Sequence, residues 1–222
     1  MKRTIYTPGN VQVRETSDGT PSRTITGYAI VFNQQSEPFW DDDTEQIREV
    51  IAPESVTLDL LNRSDILMTL FHDNTEILAR SKNGEGTLKY GIDEHGVKFE
   101  FDAPNTIDGE RALELVKRGD IQGCSFAFTT DYQDRSQVSM DSVTRTGKVF
   151  TTYTVRHMDS IYDFTLTPRP AYGQTSVEAR DLIKSIREKR QQEEEKKREH
   201  DKLVEAQVAE MRSQIHIKKN IY

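Results

Sequence analysis

Within the stretch GTLKYGIDEHGVKFEFDA (86–103), residues 97–103 alternate with a strict period of two. Val97, Phe99, Phe101 and Ala103 fall on one side, and Lys98, Glu100 and Asp102 on the other. Only a strand brings every second residue to one face, so this segment reads as the second half of a hairpin with one buried face. A sheet with one apolar face must be covered, which commits the chain to further β-structure. SRTITGYAIVFN (22–33) repeats the pattern, with Ile25, Gly27, Ala29 and Val31 together. REVIAPESV (48–56) reads as a strand running into a helix start, Pro53 being tolerated in a first turn. More strands are expected at 121–130, 148–157 and 161–167. One short helix is expected at 107–119, with Asp108 as its cap, Ala112, Leu113 and Val116 as its apolar side and Gly119 as its end. The acidic run in EPFWDDDTEQ (37–46) has the chemistry of a solvated loop. The fold class is therefore mainly β with helices.

The pattern stops near residue 178. REKRQQEEEKKREHDK (187–202) contains no apolar residue, and opposite charges recur at helical spacing, as in Glu193 with Lys197 and Glu194 with Arg198. A domain at 1–180 and a charged tail at 181–222, helical or partly disordered, are expected. Leu203, Val204, Gln207, Val208, Met211 and Ile215 form a stripe too short for a coiled coil.

Charge narrows the function classes. The run 187–202 carries seven basic and six acidic groups, so the remaining chain holds 23 basic and 31 acidic residues. A body with that surplus of carboxylates repels a phosphate backbone, which sets nucleic acid aside as a primary partner. No run of 18 apolar residues exists to span a membrane, and MKRTIYTPGN has no apolar core to act as a secretory signal. A lone cysteine excludes an internal disulfide and any multi-cysteine zinc site.

That cysteine, Cys124, stands beside Ser125 in GDIQGCSFAF (119–128). As a strand, the segment puts Cys124 with Phe126 and Phe128, and Ser125 with Ala127 and Thr129. Two phenylalanines mark the buried face, so Cys124 is core. Ser125, flanked by the small Gly123 and Ala127, is the reactive candidate. A serine hydroxyl needs a base. Of five histidines, His95 and His200 lie in solvated turns or charged runs, His216 in the tail and His157 at a strand end. His72, in LMTLFHDNTEILAR (67–80), ends an apolar run where a polar turn begins, and can reach a cleft. The base in turn needs an orienting acid. In SIYDFTLTPRPAY (160–172), Tyr162, Phe164 and Leu166 share one face, and Ile161, Asp163 and Thr165 the other, which offers Asp163.

GYAIVFN, REVIAPESV, LFHDN, ILARSKNGEGTLKYGIDEHGVKFEFDAPNT, LVKRGDIQGCSFAF and YDFTLTPRPAYGQTSVEAR occur in this order and spacing. Together, over about residues 24–180, they resemble the prohead serine proteases of tailed bacteriophages, the capsid maturation proteases. The resemblance implies His72, in FHD, and Ser125, in the G-x-S-F-x-F motif, as the catalytic pair. The third catalytic position falls on Asp163, where Phe-Thr after the acid and Arg169 between two prolines depart from the family's pattern. It implies a fold similar to herpesvirus assembly proteases, an antiparallel β-barrel wrapped by helices. Those relatives use a second histidine as third member, so His157 stands as the substitute for Asp163. The implied activity is serine endopeptidase cleavage of scaffolding protein, or of a scaffold-like segment of the major capsid protein precursor, and of the protease itself. The implied place is the assembling prohead in the host bacterial cytoplasm. No metal or organic cofactor is implied, and the reading leaves room for self-association. Two other readings stand beside it. One is a non-enzymatic scaffolding or assembly protein with a protease-like domain. The other is a metal-dependent hydrolase built from His72, Asp73, His157 and Asp163.

Overall fold

The computed structural model describes residues 2–7, 9–15, 22–168, 192, 195–202 and 204. In chain order the strands are β1 (Lys2–Thr7), β2 (Gln12–Val13), β3 (Thr24–Val31), β4 (Trp40–Asp41) and β5 (Glu45–Ile51). A 3₁₀ turn at Pro53–Ser55, with proline in its first turn as expected, leads to helix α1 (Leu58–Arg63). Then come β6 (Asp65–Leu70), β7 (Asp73–Lys82), β8 (Glu85–Gly86), β9 (Lys89–Ile92) and β10 (Gly96–Asp102). Helix α2 (Ile107–Lys117) precedes β11 (Gly123–Thr129), β12 (Val138–Arg145), β13 (Lys148–Val155) and β14 (Ser160–Thr167). The fold is mainly β with few helices. Chain contacts divide it into one unit at Met1–Ser176 and another at Val177–Tyr222.

The strands form three sheets, ordered β1-β11-β14-β6-β7-β8, β2-β3-β10-β9 and β12-β13-β5-β4. No closed barrel is found among the described strands. Nor are all pairings antiparallel: β14 runs parallel to β6, and β13 parallel to β5. The alternation at 97–103 appears as read, Val97, Phe99, Phe101 and Ala103 being buried while Lys98 and Asp102 are exposed. β10 pairs with β9 to make the expected hairpin and with β3 on its other side. Burying such rings removes 150–250 Å² of apolar surface each, about 25 cal/mol per Å², so Phe99, Phe101, Phe126, Phe128 and Phe164 dominate the core.

Two local readings are corrected, and β12 was not among the expected strands. Helix α2 is capped by Thr106, whose hydroxyl accepts from the Gly109 N–H at 3.2 Å, and Asp108 sits inside the first turn. Both residues offer an oxygen, but only one residue can hold the extended backbone of a cap. Tyr162 does not join Phe164 and Leu166 in the core. The register between β11 and β14 slips between Ala127 and Phe128, so that Ile161 lies opposite Phe128, and Ile161 is buried while Tyr162 is exposed. β12 carries no alternation and is largely exposed. It is a strand because Thr146 and Gly147, both at positive φ, fold it back onto β13.

In the second unit, residues 195–202, with 192 and 204, are helical and exposed. His216, Glu193, Glu194 and most of the apolar stripe beginning at Leu203 lie outside the described residues.

Candidate active site

The largest sheet brings three distant segments to one face. Ser125 on β11 lies directly opposite Thr165 on β14, and Thr165 in turn lies opposite Thr69 on β6. Two pairs further along, Ala127 faces Asp163. Paired residues in neighbouring strands share a face, so Ser125, Asp163, Thr165 and Thr69 stand together. Cys124, Phe126, Phe164 and Leu166 occupy the reverse face, as the alternation requires.

His72 arrives from the end of β6. Leu70 pairs with Asp73, so Phe71 and His72 alone make the turn between β6 and β7. Both have positive φ, 54° and 62°. A two-residue hairpin of the type I′ class needs that backbone, and Asn and Gly normally supply it. For side-chain-bearing residues the left-handed region costs about 1–2 kcal/mol each. Such strain persists only where the surroundings over-determine it. Here they do. The Phe71 N–H donates to the Leu166 carbonyl at 3.1 Å, and the His72 N–H donates to Thr165 Oγ1 at 2.9 Å. The Phe71 ring, part-exposed, is backed by the Arg111 guanidinium 5.1 Å from its centroid, and Arg111 is tied to Glu76 at 3.1 Å.

The histidine ring is held by Asp163. Nδ1 lies 2.9 Å from Asp163 Oδ1, with the imidazole a quarter exposed and the carboxylate nearly buried. An ionised carboxylate can only accept, so the Nδ1 proton points at it and Nε2 is left with its lone pair. Nε2 is buried and has no hydrogen-bond partner among the described residues. A buried ring nitrogen in that state is a base with no proton donor within hydrogen-bond reach among the described residues.

Thr165 is the residue the sequence reading placed on the right face without giving it a task. Its hydroxyl donates to the Thr69 carbonyl at 3.1 Å and accepts from Thr69 Oγ1 at 2.8 Å and from the His72 N–H. A hydroxyl has one donor and two acceptor sites, and all three are used. Nothing in a single strand signals this; the signal lies in the pairing of β14 with β6. Replacing Thr165 with Val keeps the shape and strands the His72 N–H and the Thr69 hydroxyl. It should lower stability by about 1–3 kcal/mol, read by urea denaturation. If the protein is also an enzyme at this site, turnover should fall with it, because the turn carrying His72 loses its anchor. An unchanged midpoint would show that the hydroxyl is dispensable.

Ser125 is fully buried, and its Oγ donates to the Ile5 carbonyl of β1 at 2.9 Å. Thus the structure brings His72 and Asp163 into contact and sets Ser125 one strand away from Thr165, with its proton directed at β1 rather than at His72. Cys124 is fully buried and burial pushes its thiol far up, which makes it an inert core group. His157 lies beyond the end of β13, half-exposed, with Nε2 3.6 Å from Asp159. His95 packs edge-on against Tyr28 in its turn, and His200 is exposed. Asp73 is engaged locally, its carboxylate accepting from the N–H and hydroxyl of Thr75. Among the described residues no group of three or more His, Cys, Asp or Glu side chains is arranged to hold a metal ion. Nor is any described helix long and apolar enough to cross a membrane.

Compared with known proteins, no curated protein and no solved structure matches the chain. A family model does match, over residues 10–195, and its description is caudovirus prohead serine protease. That span holds β2 to β14 and every residue of the His72–Asp163–Thr165–Ser125 arrangement, and the chain belongs to the caudovirus prohead serine protease family.

Proposed function

We propose that this protein is a serine endopeptidase in which Ser125 is the nucleophile, His72 its general base and Asp163 the group that orients the base. The observation that supports this reading most is the Nδ1–Oδ1 contact of 2.9 Å on a turn whose two N–H groups are both tied to β14. It leaves Nε2 as the basic atom on the histidine. In the reaction the Ser125 hydroxyl turns from Ile5 to Nε2 and gives up its proton as Oγ attacks the scissile carbonyl. The leaving amine then takes that proton from the imidazolium. Water hydrolyses the acyl-enzyme by the same route in reverse. Asp163 stays ionised throughout and stabilises the imidazolium. No step in this sequence calls on a metal or an organic cofactor.

As a phage capsid maturation protease the protein acts on capsid-related substrates. The finer assignment follows from the resemblance: scaffolding protein or a scaffold-like segment of the major capsid protein precursor, and the chain itself, cut inside the assembling prohead. The assignment is tested with a fluorophosphonate, which traps an activated serine. Labelling should map to the peptide containing Ser125 and should be lost in His72→Ala, while iodoacetamide leaves Cys124 unmodified until the protein is unfolded. Labelling elsewhere, or cleavage of the precursor by a protein lacking Ser125, would remove the assignment.

Residues 1–180 carry the chemistry in this reading, and 181–222 recruit it. A segment with charges of both signs and no apolar residue over 187–202 has little to bury by itself and is suited to docking on scaffold or capsid protein. Deleting 181–222 should leave peptide hydrolysis within about twofold while abolishing incorporation into proheads, counted by quantitative mass spectrometry of purified particles. Normal incorporation without the tail would end this part of the proposal.

A further inference from the structure

The arrangement around Ser125 is closed. The side chain is 0% exposed, its hydroxyl is given to the Ile5 carbonyl, and the basic nitrogen of His72 has no partner among the described residues. No substrate carbonyl can reach Oγ in this state. What stands at the nucleophile is the chain's own β1. It pairs antiparallel with β11 from Lys2 opposite Thr129 to Thr7 opposite Cys124, with Tyr6 directly across from Ser125. Among the described strands β1 is the outermost of its sheet, with none of them on its far side within that sheet. An edge strand is where an extended peptide can be exchanged for another, because the ladder bonds it makes depend on backbone groups and not on a particular sequence.

The segment that follows has a fixed point. The Gly9 carbonyl accepts from the Tyr28 N–H at 2.7 Å, and the Val11 N–H donates to the Gln122 carbonyl at 3.2 Å. Gly9 lies so close to β3 that a Cβ there would meet the Tyr28 carbonyl oxygen at 1.9 Å. The chain beyond Gly9 is thus clamped at backbone level to β3 and to the residues before β11. Departure of β1 up to Thr7 leaves these backbone bonds of Gly9 and Val11 in place. Ile5, almost fully buried, anchors β1 in the core.

We propose that β1 is an internal latch: it occupies the edge of β11 on which an extended substrate strand docks, and its Ile5 carbonyl keeps the Ser125 proton away from His72 until β1 leaves. This inference rests on Ser125 being the nucleophile. The occupant that replaces β1 is a peptide in extended conformation, which re-forms the ladder on β11 and places its own carbonyl beside Oγ.

The test compares the full chain, Ile5→Asp and a form lacking residues 2–7, each checked for native circular dichroism. A buried carboxylate at position 5 should expel β1 without shortening the chain. If the open state is about 1–10% populated in the latched protein, unlatching should raise the rate of fluorophosphonate labelling at Ser125, and peptide kcat/KM, by about 10–100-fold. A synthetic peptide KRTIYT added to the shortened form should slow labelling again. Unchanged or slower labelling in both folded variants, with Ser125 labelled normally in the full chain, overturns the latch and leaves the catalytic assignment standing. Absence of Ser125 labelling in all three overturns the catalytic assignment and the latch together.

Discussion

Ser125→Ala should lower kcat/KM on a capsid-precursor peptide by about 10⁶-fold, and His72→Ala by a similar factor, with the double variant no worse than either alone. The non-additivity is the informative part. A base acts on this reaction only through the hydroxyl it deprotonates, so once the hydroxyl is gone the base has nothing left to lose. The loss should not be total, since substrate binding and oxyanion stabilisation together retain some acceleration over water. Single-turnover hydrolysis followed by mass spectrometry covers that range. Losses that multiply in the double variant would mean that the two residues serve separate steps, and the pair would have to be abandoned.

The second large effect is on Asp163. Asn at this position is the same size but presents an N–H₂ as well as an oxygen. Paired with Nδ1 as donor, it would fix the tautomer in which Nε2 carries the proton, the wrong one for a base. A fall of about 10⁴-fold in kcat is expected, with the β-sheet circular dichroism unchanged. His157→Ala provides the control: half-exposed and 3.6 Å from Asp159, it should cost less than about twofold. A 10⁴-fold loss on His157 with a mild effect at Asp163 would transfer the third role to the histidine.

Much of this site was legible in the one-dimensional chain because strand alternation is a local property. The facing of Cys124, Phe126 and Phe128 against Ser125 and Ala127, and of Asp163 and Thr165 together, follows from period two alone. What could not be read is whatever depends on which strands are neighbours. Thr165 became the anchor of His72 only because β14 lies beside β6, and Ser125 directs its hydroxyl at the Ile5 carbonyl only because β1 lies beside β11. Tyr162 and Ile161 exchanged environments because of one slipped register between Ala127 and Phe128, a change that no periodicity in β14 announces. β12 was missed for a different reason: its residues from Asp141 to Arg145 are exposed in succession, so the hydrophobic alternation that identifies strands is missing there. The parallel pairings belong to the same class, since direction is a property of the connection and not of the strand.

The position of β14 between β11 and β6 has a bearing on synthesis. β14 is the last described strand to leave the ribosome, yet it is central in its sheet and contributes both Asp163 and Thr165. The bonds that make the site span 91 and 93 residues, and the contact between Ser125 and Ile5 spans 120. Contacts of that separation form late and slowly, because the loop entropy is lost before they repay it. A nascent chain shorter than about 165 residues therefore has neither the oriented histidine nor a finished sheet, while the facing edges of β6 and β11 stay bare. A chain still too short to include β14 therefore lacks the His72–Asp163 pair by order of translation, before any partner or latch acts on it.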